Sequence, residues 1–329
     1  MININNLIHN IKKLYNKYDN IYHDIIVNYS HNLCNNYINS YIKEVNNTRW
    51  SNFPEITKYL NKCKYVCIFS CDYYKFKFYI YSSNKLNYPI IIKIIKLFKR
   101  ICILNEFYNL NNNLFDFHIC LCPHSRKIPY KNELFDAKHI NGGFTIVNSN
   151  CIYIFRKDEF MKVALHEFIH HIPIINDSLF NLDENNINIL KNKFNISQNT
   201  ILLPAESVVE FWANIYNLIF ISIEYNISFK LLVEKEIKFS LLQYNKIRKI
   251  NKYKIWEENT NTFCYIVLKL ILLYNYKKFL LFNMPYNHND FVNFLIDNYD
   301  YKKYIILNKN NNIKIKPNNS LDIMLFSNF

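Results

Sequence analysis

The spacing of apolar residues changes along the chain, and these changes predict an α+β protein. Strands are predicted where apolar and polar residues alternate, or where β-branched and aromatic residues form short runs: 64–82, 114–122, 143–147 and 151–156. Helices are predicted over the Asn-rich N-terminal segment and where apolar residues recur at helical spacing: 1–62, 89–108, 158–172 and 204–222. The remainder, 226–329, is predicted to be mostly helical. The expected fold is therefore a small mixed sheet combined with helices.

No Pro/Gly/Ser-rich linker and no internal repeat divides the 329 residues. The order of the predicted elements suggests three regions. We expect an N-terminal α/β region of unknown role at 1–112, a core of strands and helices at 113–225, and a helical C-terminal region at 226–329.

The composition is rich in Asn, Ile, Lys, Tyr and Phe, whereas Gly and Ala are nearly absent. Such a bias is typical of a gene under strong AT pressure, because GC-rich codons encode the missing residues. The few Gly and Ala all fall in one window: Gly142, Gly143, Ala137, Ala164, Ala205 and Ala213. We interpret this window as the part of the chain that resists replacement, with chance clustering as the alternative.

The formal net charge of +14 comes from 40 Lys and Arg against 26 Asp and Glu. Only five of the 40 are Arg, and Lys is the cation that AT-rich codons favour. Because no Arg cluster, zinc finger or RNA-binding aromatic motif is found, we do not expect a nucleic-acid partner. The nine Cys are scattered and show no disulfide framework. The N-terminus lacks the apolar region of a signal peptide, and the chain has no long uncharged apolar run. These observations favour an intracellular, cytoplasmic protein without a membrane partner.

Candidate chemistry is concentrated in the run His166-Glu167-Phe168-Ile169-His170. Two histidines four residues apart on a helix lie one turn above each other, so both imidazoles can bind one metal ion. Glu167 follows the first histidine, where its carboxylate can reach a water on that metal. This is the HExxH arrangement of zinc hydrolases, with about 0.01 matches expected by chance in a chain of this composition. A core helix with two hydrogen-bonded histidines is the alternative interpretation.

A zinc ion needs a third protein ligand, with the fourth position left for water. The helix predicted at 204–222 offers two carboxylates, Glu206 and Glu210, which lie four residues apart and therefore share a face. His171 points about 100° away from His170 around a helix, so we expect it to serve in a supporting or surface role rather than as a ligand.

An HExxH motif followed by a helical Glu resembles the gluzincin branch of the zincin metallopeptidases. In that branch the ligand Glu is often followed at +3 by a small residue and at +4 by Asp or a similar group. Glu210 fits this pattern with Ala213 and Asn214, although Asn in place of Asp is a departure. Glu206 would place Val209 and Glu210 at these positions, which is a poorer match. The metzincin pattern fails, because position 176 is Asn rather than a third His.

The resemblance covers about 140–222 and implies a zincin-like fold. Its ligand set would be His166, His170 and Glu210, with Glu206 as the alternative to Glu210 and with Asn214 orienting a ligand histidine. Gly142 and Gly143 occupy the place of the strand that pairs with an extended substrate, and glycines would let a peptide backbone approach closely. The alternative interpretation of these glycines is a tight turn with positive φ. Tyr286 and His288 are candidate oxyanion stabilisers.

The resemblance implies a zinc-dependent metallopeptidase that acts on a polypeptide, with one Zn²⁺ per chain and Glu167 as general base. The alternatives are an inactive zincin-fold binding or virion scaffold protein and a basic nucleic-acid-associated protein. An intact Glu167 argues against the scaffold. The composition is similar to that of proteins from AT-rich large DNA viruses or protists, and a viral source would place the protein in the host cytoplasm or the virion.

Overall fold

The computed structural model describes most of the chain, in segments separated by gaps. These segments are 3–30, 34–51, 53–71, 74–110, 114–130, 133–146, 149–173, 180–250, 255–281, 287–300, 304 and 321–326. Within them, none of the helices combines the length and the apolar character that crossing a membrane requires.

The described residues form a mixed α+β structure, as the sequence predicts. The strands are β1 (Ile26–Ser30), β2 (Tyr65–Cys71), β3 (Tyr74–Ser82), β4 (Phe115–Cys120), β5 (Gly143–Thr145) and β6 (Cys151–Ile154). The helices of the N-terminal half are α1 (Ile4–Lys17), α2 (Ile21–Asp24), α3 (Cys34–Asn47), α4 (Pro54–Leu60), α5 (Tyr88–Phe107), α6 (Ala137–Ile140) and α7 (Phe160–Ile169). Those of the C-terminal half are α8 (Glu184–Phe194), α9 (Ala205–Tyr225), α10 (Phe229–Ile250), a π-helical turn (Cys264–Leu268), α11 (Lys269–Tyr274), α12 (Tyr276–Leu280) and α13 (His288–Asp297).

The described strands form one six-stranded sheet in the order β1-β2-β3-β4-β6-β5. The first three strands pair antiparallel, β3, β4 and β6 run parallel, and β5 pairs antiparallel with β6. The predicted mixed sheet is therefore present. The prediction of helices throughout 1–62 is wrong at Ile26–Ser30, which forms the edge strand β1.

The two faces of the sheet are set by the alternation of side chains along β4. On one face, the Phe115 and Phe117 rings pack against Phe168 of α7, with centroids 5.4 and 6.2 Å away. On the same face, the Phe78 ring packs against Phe98 of α5 at 5.0 Å. The motif helix α7 is therefore held against the sheet by aromatic burial, which is a large hydrophobic contribution per residue.

On the opposite face of β4, the half-buried His118 lies in an aromatic stack with two buried tyrosines. Its ring is parallel to those of Tyr79 and Tyr153, with centroids 4.9 and 5.0 Å away, and its Nδ1 is 2.9 Å from the Tyr81 hydroxyl. Burial lowers the pKa of His118 to about 4, because the charged imidazolium is poorly solvated there. This histidine belongs to the core rather than to a site.

The chain divides into two compact units. The three regions predicted from the sequence stay a prediction. The unit that contains the sheet, here the sheet unit, comprises 5–125, 141–172 and 327–329, of which 327–329 lie outside the described residues. The other, the helical unit, comprises 1–4, 126–140 and 173–326. Both are discontinuous in sequence, which no local pattern signals.

The helical unit is built around α9, whose residues from Ala205 to Ile221 are buried with the exception of Glu206. The segment 321–326 is anchored beside it through buried polar groups. Lys269 Nζ donates to the Ile323 carbonyl at 3.1 Å, and the Leu325 amide donates to Glu236 Oε2 at 3.0 Å. These bonds satisfy groups that would be costly to bury alone.

Asparagine occupies the left-handed positions at helix C-termini where glycine is the usual residue. Asn195 and Asn226 cap α8 and α9 in the left-handed conformation, with φ of 55° and 50°, and Asn109 adopts the same conformation just after α5. Asn tolerates this region better than other residues with a side chain. A chain with two glycines can therefore still end its helices sharply.

Candidate metal centre

The HExxH motif lies at the end of α7. His166 and Glu167 are within the helix, and His170 is its C-cap residue with φ −56° and ψ −23°. The helix is bounded at its start by Glu159, a buried residue in the left-handed conformation with φ 63°. All three motif side chains are largely shielded from water: His166 and Glu167 are 6 % exposed and His170 is 9 % exposed.

The two motif histidines are arranged as the spacing predicts. His166 Nε2 and His170 Nε2 are 3.4 Å apart, and the ring planes are inclined at 73°. Two nitrogens bound at about 2.0–2.1 Å to a tetrahedral zinc ion would stand about 3.3 Å apart. The separation of the two nitrogens therefore matches that of two ligands of one zinc ion, and it also lies within hydrogen-bond distance.

Among the residues that the structure describes, His166, His170 and Glu206 each offer a ligand atom, and these atoms all lie within 4.8 Å of one another. This group could hold a metal ion. Two nitrogens and one carboxylate oxygen form a ligand set found in catalytic zinc sites, with a coordination position to spare.

The predicted ligand Glu210 is not among the three residues of this group, which contains the alternative ligand Glu206 instead. Glu210 is 1 % exposed, and its Oε1 accepts a hydrogen bond from Asn214 Nδ2 at 3.1 Å. The same nitrogen lies 2.8 Å from the Glu210 carbonyl. Asn214 thus contacts the carboxylate one turn before it, and a role in orienting a ligand histidine stays a prediction.

The preference for Glu210 depended on a small residue at +3 that would permit close helix packing. Ala213 is fully buried, but so is nearly every residue of α9. Close packing therefore does not distinguish one carboxylate from the other. Glu206 differs from its neighbours in being only partly buried, in the first turn of α9, where a carboxylate is also favoured by the helix dipole.

Cys264 lies near Glu206 but does not belong to the ligand group. Burial raises the pKa of this thiol well above its usual value, and the carboxylates of Glu258 and Glu206 raise it further. A protonated thiol is a poor metal ligand, since metals bind the thiolate. Glu258 itself accepts hydrogen bonds from the Thr262 and Phe263 amides at 2.7 and 3.0 Å, which is a structural role.

The glycines of the edge strand have a packing role. No glycine of the chain has a positive φ, so the interpretation of a tight left-handed turn is wrong. A Cβ atom on Gly143 would lie 2.7 Å from the Tyr153 carbonyl and 2.9 Å from Val163 Cγ1 of α7. Gly142 contributes its carbonyl to the Phe155 amide at 3.0 Å. At Gly143, glycine therefore lets β5 approach both β6 and α7 closely.

Three further residues considered from the sequence are Tyr286, His288 and His171. Tyr286 lies outside the described residues. His288 is the first residue of α13, and its charge helps to lower the pKa of Asp183, after the larger effect of the Asn186 amide. His171 is held by Thr145, whose Oγ1 is 2.7 Å from His171 Nε2. Nothing local in the sequence singles out Thr145, because this contact depends on how β5 packs beside α7.

Comparison of the chain with protein-family models, with curated proteins and with solved structures finds no match.

Proposed function

We propose that the protein is a zinc-dependent metallopeptidase of the zincin type, with one Zn²⁺ per chain. The observation that carries the proposal is the convergence of His166, His170 and Glu206 next to Glu167. These residues supply the ligand types and the open position that catalytic zinc sites use. The chemistry of the donor set and the spacing of the histidine nitrogens support zinc over Mg²⁺ or Ca²⁺, which prefer oxygen ligands.

Zinc, when bound, would lower the pKa of a coordinated water toward neutrality and polarise the scissile carbonyl. Glu167 would take the proton from the attacking water and deliver it to the leaving amine. This carboxylate adjoins the first ligand histidine and is shielded from bulk water. A base shielded from bulk water is well suited to shuttle a proton within one reaction cycle.

With Glu206 as the ligand, Glu210 falls at the +4 position, where the gluzincin pattern has an acidic group. A carboxylate there would orient a ligand histidine through its second nitrogen and raise the basicity of the ring. With this ligand, both Glu206 and Glu210 of α9 have a proposed role. This assignment places an acidic residue at +4 in place of Asn214, and it places Val209 rather than a small residue at +3.

The substrate would be an extended polypeptide. Strand β5 is the last strand in the order of the sheet, so one of its backbone edges has no partner strand among the described residues. An extended peptide can add to such an edge through main-chain hydrogen bonds. Because β5 packs against α7, a peptide bound there would pass close to the motif helix.

The proposal is tested by digestion of a peptide library with zinc removed and restored. We expect cleavage by the untreated protein, loss of at least about 100-fold of the rate after chelation, and recovery on addition of zinc. A library left intact by zinc-loaded protein would contradict a peptidase function. Cleavage that persists unchanged after verified removal of zinc would contradict the metal-dependent mechanism.

A further inference from the structure

The second motif histidine lies beyond the regular part of its helix. The turn that follows α7 is closed by two tight bonds: the His171 amide to the Phe168 carbonyl at 3.0 Å and the Ile172 amide to the Ile169 carbonyl at 2.9 Å. Bonds that span three residues are typical of short 3₁₀ turns at helix ends, which are less stable than the α-helical ladder. His170 therefore needs support from outside the helix to keep a fixed position.

That support comes from the neighbouring strands and acts on His171. The His171 Nε2 atom is 2.7 Å from Thr145 Oγ1 on β5. The His171 ring also packs edge-on against Phe115 of β4, with centroids 4.9 Å apart. One polar and one aromatic contact thus fix the residue that directly follows the ligand.

The direction of the polar contact follows from counting protons. Thr145 Oγ1 also donates to the Cys151 carbonyl at 3.1 Å, which uses its only hydrogen. The hydroxyl must therefore accept from His171, which donates from Nε2. The result is a continuous chain from the motif turn, through the Thr145 hydroxyl, to the backbone of β6. In the neutral ring, this chain places the proton of His171 on Nε2.

The same strand approaches α7 a second time. Gly143, two residues before Thr145, lies so close to Val163 that a Cβ atom would be 2.9 Å from its Cγ1. Val163 is three residues before His166. Strand β5 therefore contacts the motif segment at two levels. The first is Val163, three residues before His166, and the second is His171, directly after His170.

We infer that Thr145 is a positioning residue for the metal centre: it accepts the His171 hydrogen bond that fixes the turn carrying His170. The inference deepens the proposed function and rests on it for the identity of the metal. The hydrogen bond from His171 to Thr145, which fixes the turn at 170–172, does not depend on a bound ion. Ligands supported in this way are usually weakened when the support is removed.

The test compares Thr145→Val, Thr145→Ser and the control Ser149→Ala. Val keeps the β-branched shape and removes the hydroxyl, whereas Ser keeps the hydroxyl. Ser149 lies in the same hairpin, and its hydroxyl donates to the Ile146 carbonyl at 3.0 Å, away from His171. Two quantities are measured: hydrogen–deuterium exchange of the segment 166–172 in metal-free protein, and zinc affinity by competition with a chelator.

We expect Thr145→Val to exchange the His171 and Ile172 amides at least about fivefold faster and to bind zinc about tenfold more weakly. Thr145→Ser and Ser149→Ala should match the wild type in both measurements. Wild-type exchange and affinity in Thr145→Val would overturn the inference. If the wild type binds no zinc, the metal centre fails, and the exchange rates alone then decide whether Thr145 pins the turn.

Discussion

Replacement of Glu167 by Gln should leave zinc bound and reduce peptide hydrolysis by about 10³-fold or more. Gln has the size of Glu and keeps one acceptor oxygen, but it cannot take a proton from water at neutral pH. The carboxylate serves twice in each cycle, since it activates the water and then protonates the leaving amine. Because the amide removes both steps, kcat should fall far more than KM rises.

The measurement combines the zinc content of Glu167→Gln with its turnover of a peptide that the wild type cleaves. Glu55→Gln is the matched control, because it makes the same change at an exposed residue in the first turn of α4. It should cleave at the wild-type rate. Near-normal turnover by Glu167→Gln would refute the assigned base, and loss of zinc together with activity would place Glu167 in metal binding instead.

Replacement of Glu206 should have the largest effect on metal binding of any change in the helical unit. Glu206→Gln removes the charged oxygen from a group whose atoms lie within 4.8 Å of one another. Loss of one of three protein ligands should weaken zinc binding by more than about 100-fold, beyond the effect expected of an outer partner. The local structure should persist, since Glu206 is only partly buried at the start of α9.

Glu210→Gln is the comparison that separates the two carboxylates. It keeps the size of the side chain and an oxygen for the Asn214 amide, so the buried contact within α9 is preserved. We expect zinc affinity to fall by about 10-fold to 100-fold at most, as for a residue that orients a ligand. Titration of both variants against the same chelator decides the matter. A larger loss of zinc affinity in Glu210→Gln than in Glu206→Gln would identify Glu210 as the ligand instead.

The sequence predicts the elements around the site well, because their signals are local. The apolar alternation of Phe115, Phe117 and Ile119 predicts β4, and the hairpin of β5 and β6 follows from two short runs around a polar turn. The motif spacing places two histidines on one helix face whatever the rest of the fold does. In the structure their Nε2 atoms are 3.4 Å apart.

Features that depend on tertiary packing could not be predicted in the same way. Strand β1 has only five residues, of which Asn28 and Ser30 are polar, so its sequence does not predict a strand. It forms a strand because it pairs with β2. The choice between Glu206 and Glu210 is invisible to periodicity, because residues four apart share a face. Gly143 and Thr145 are required by close contacts with α7, so neither their spacing nor their type reveals the role.

The zinc content of the purified chain, measured by mass spectrometry under native conditions, tests the central claim most directly. His166 and His170 are the proposed ligands on which every assignment depends, so His166→Ala and His170→Ala are measured beside the wild type. We expect one zinc ion per wild-type chain and none in either variant after equal exposure to zinc. A wild type that takes up no zinc, or stoichiometric zinc in both variants, would contradict the metal centre.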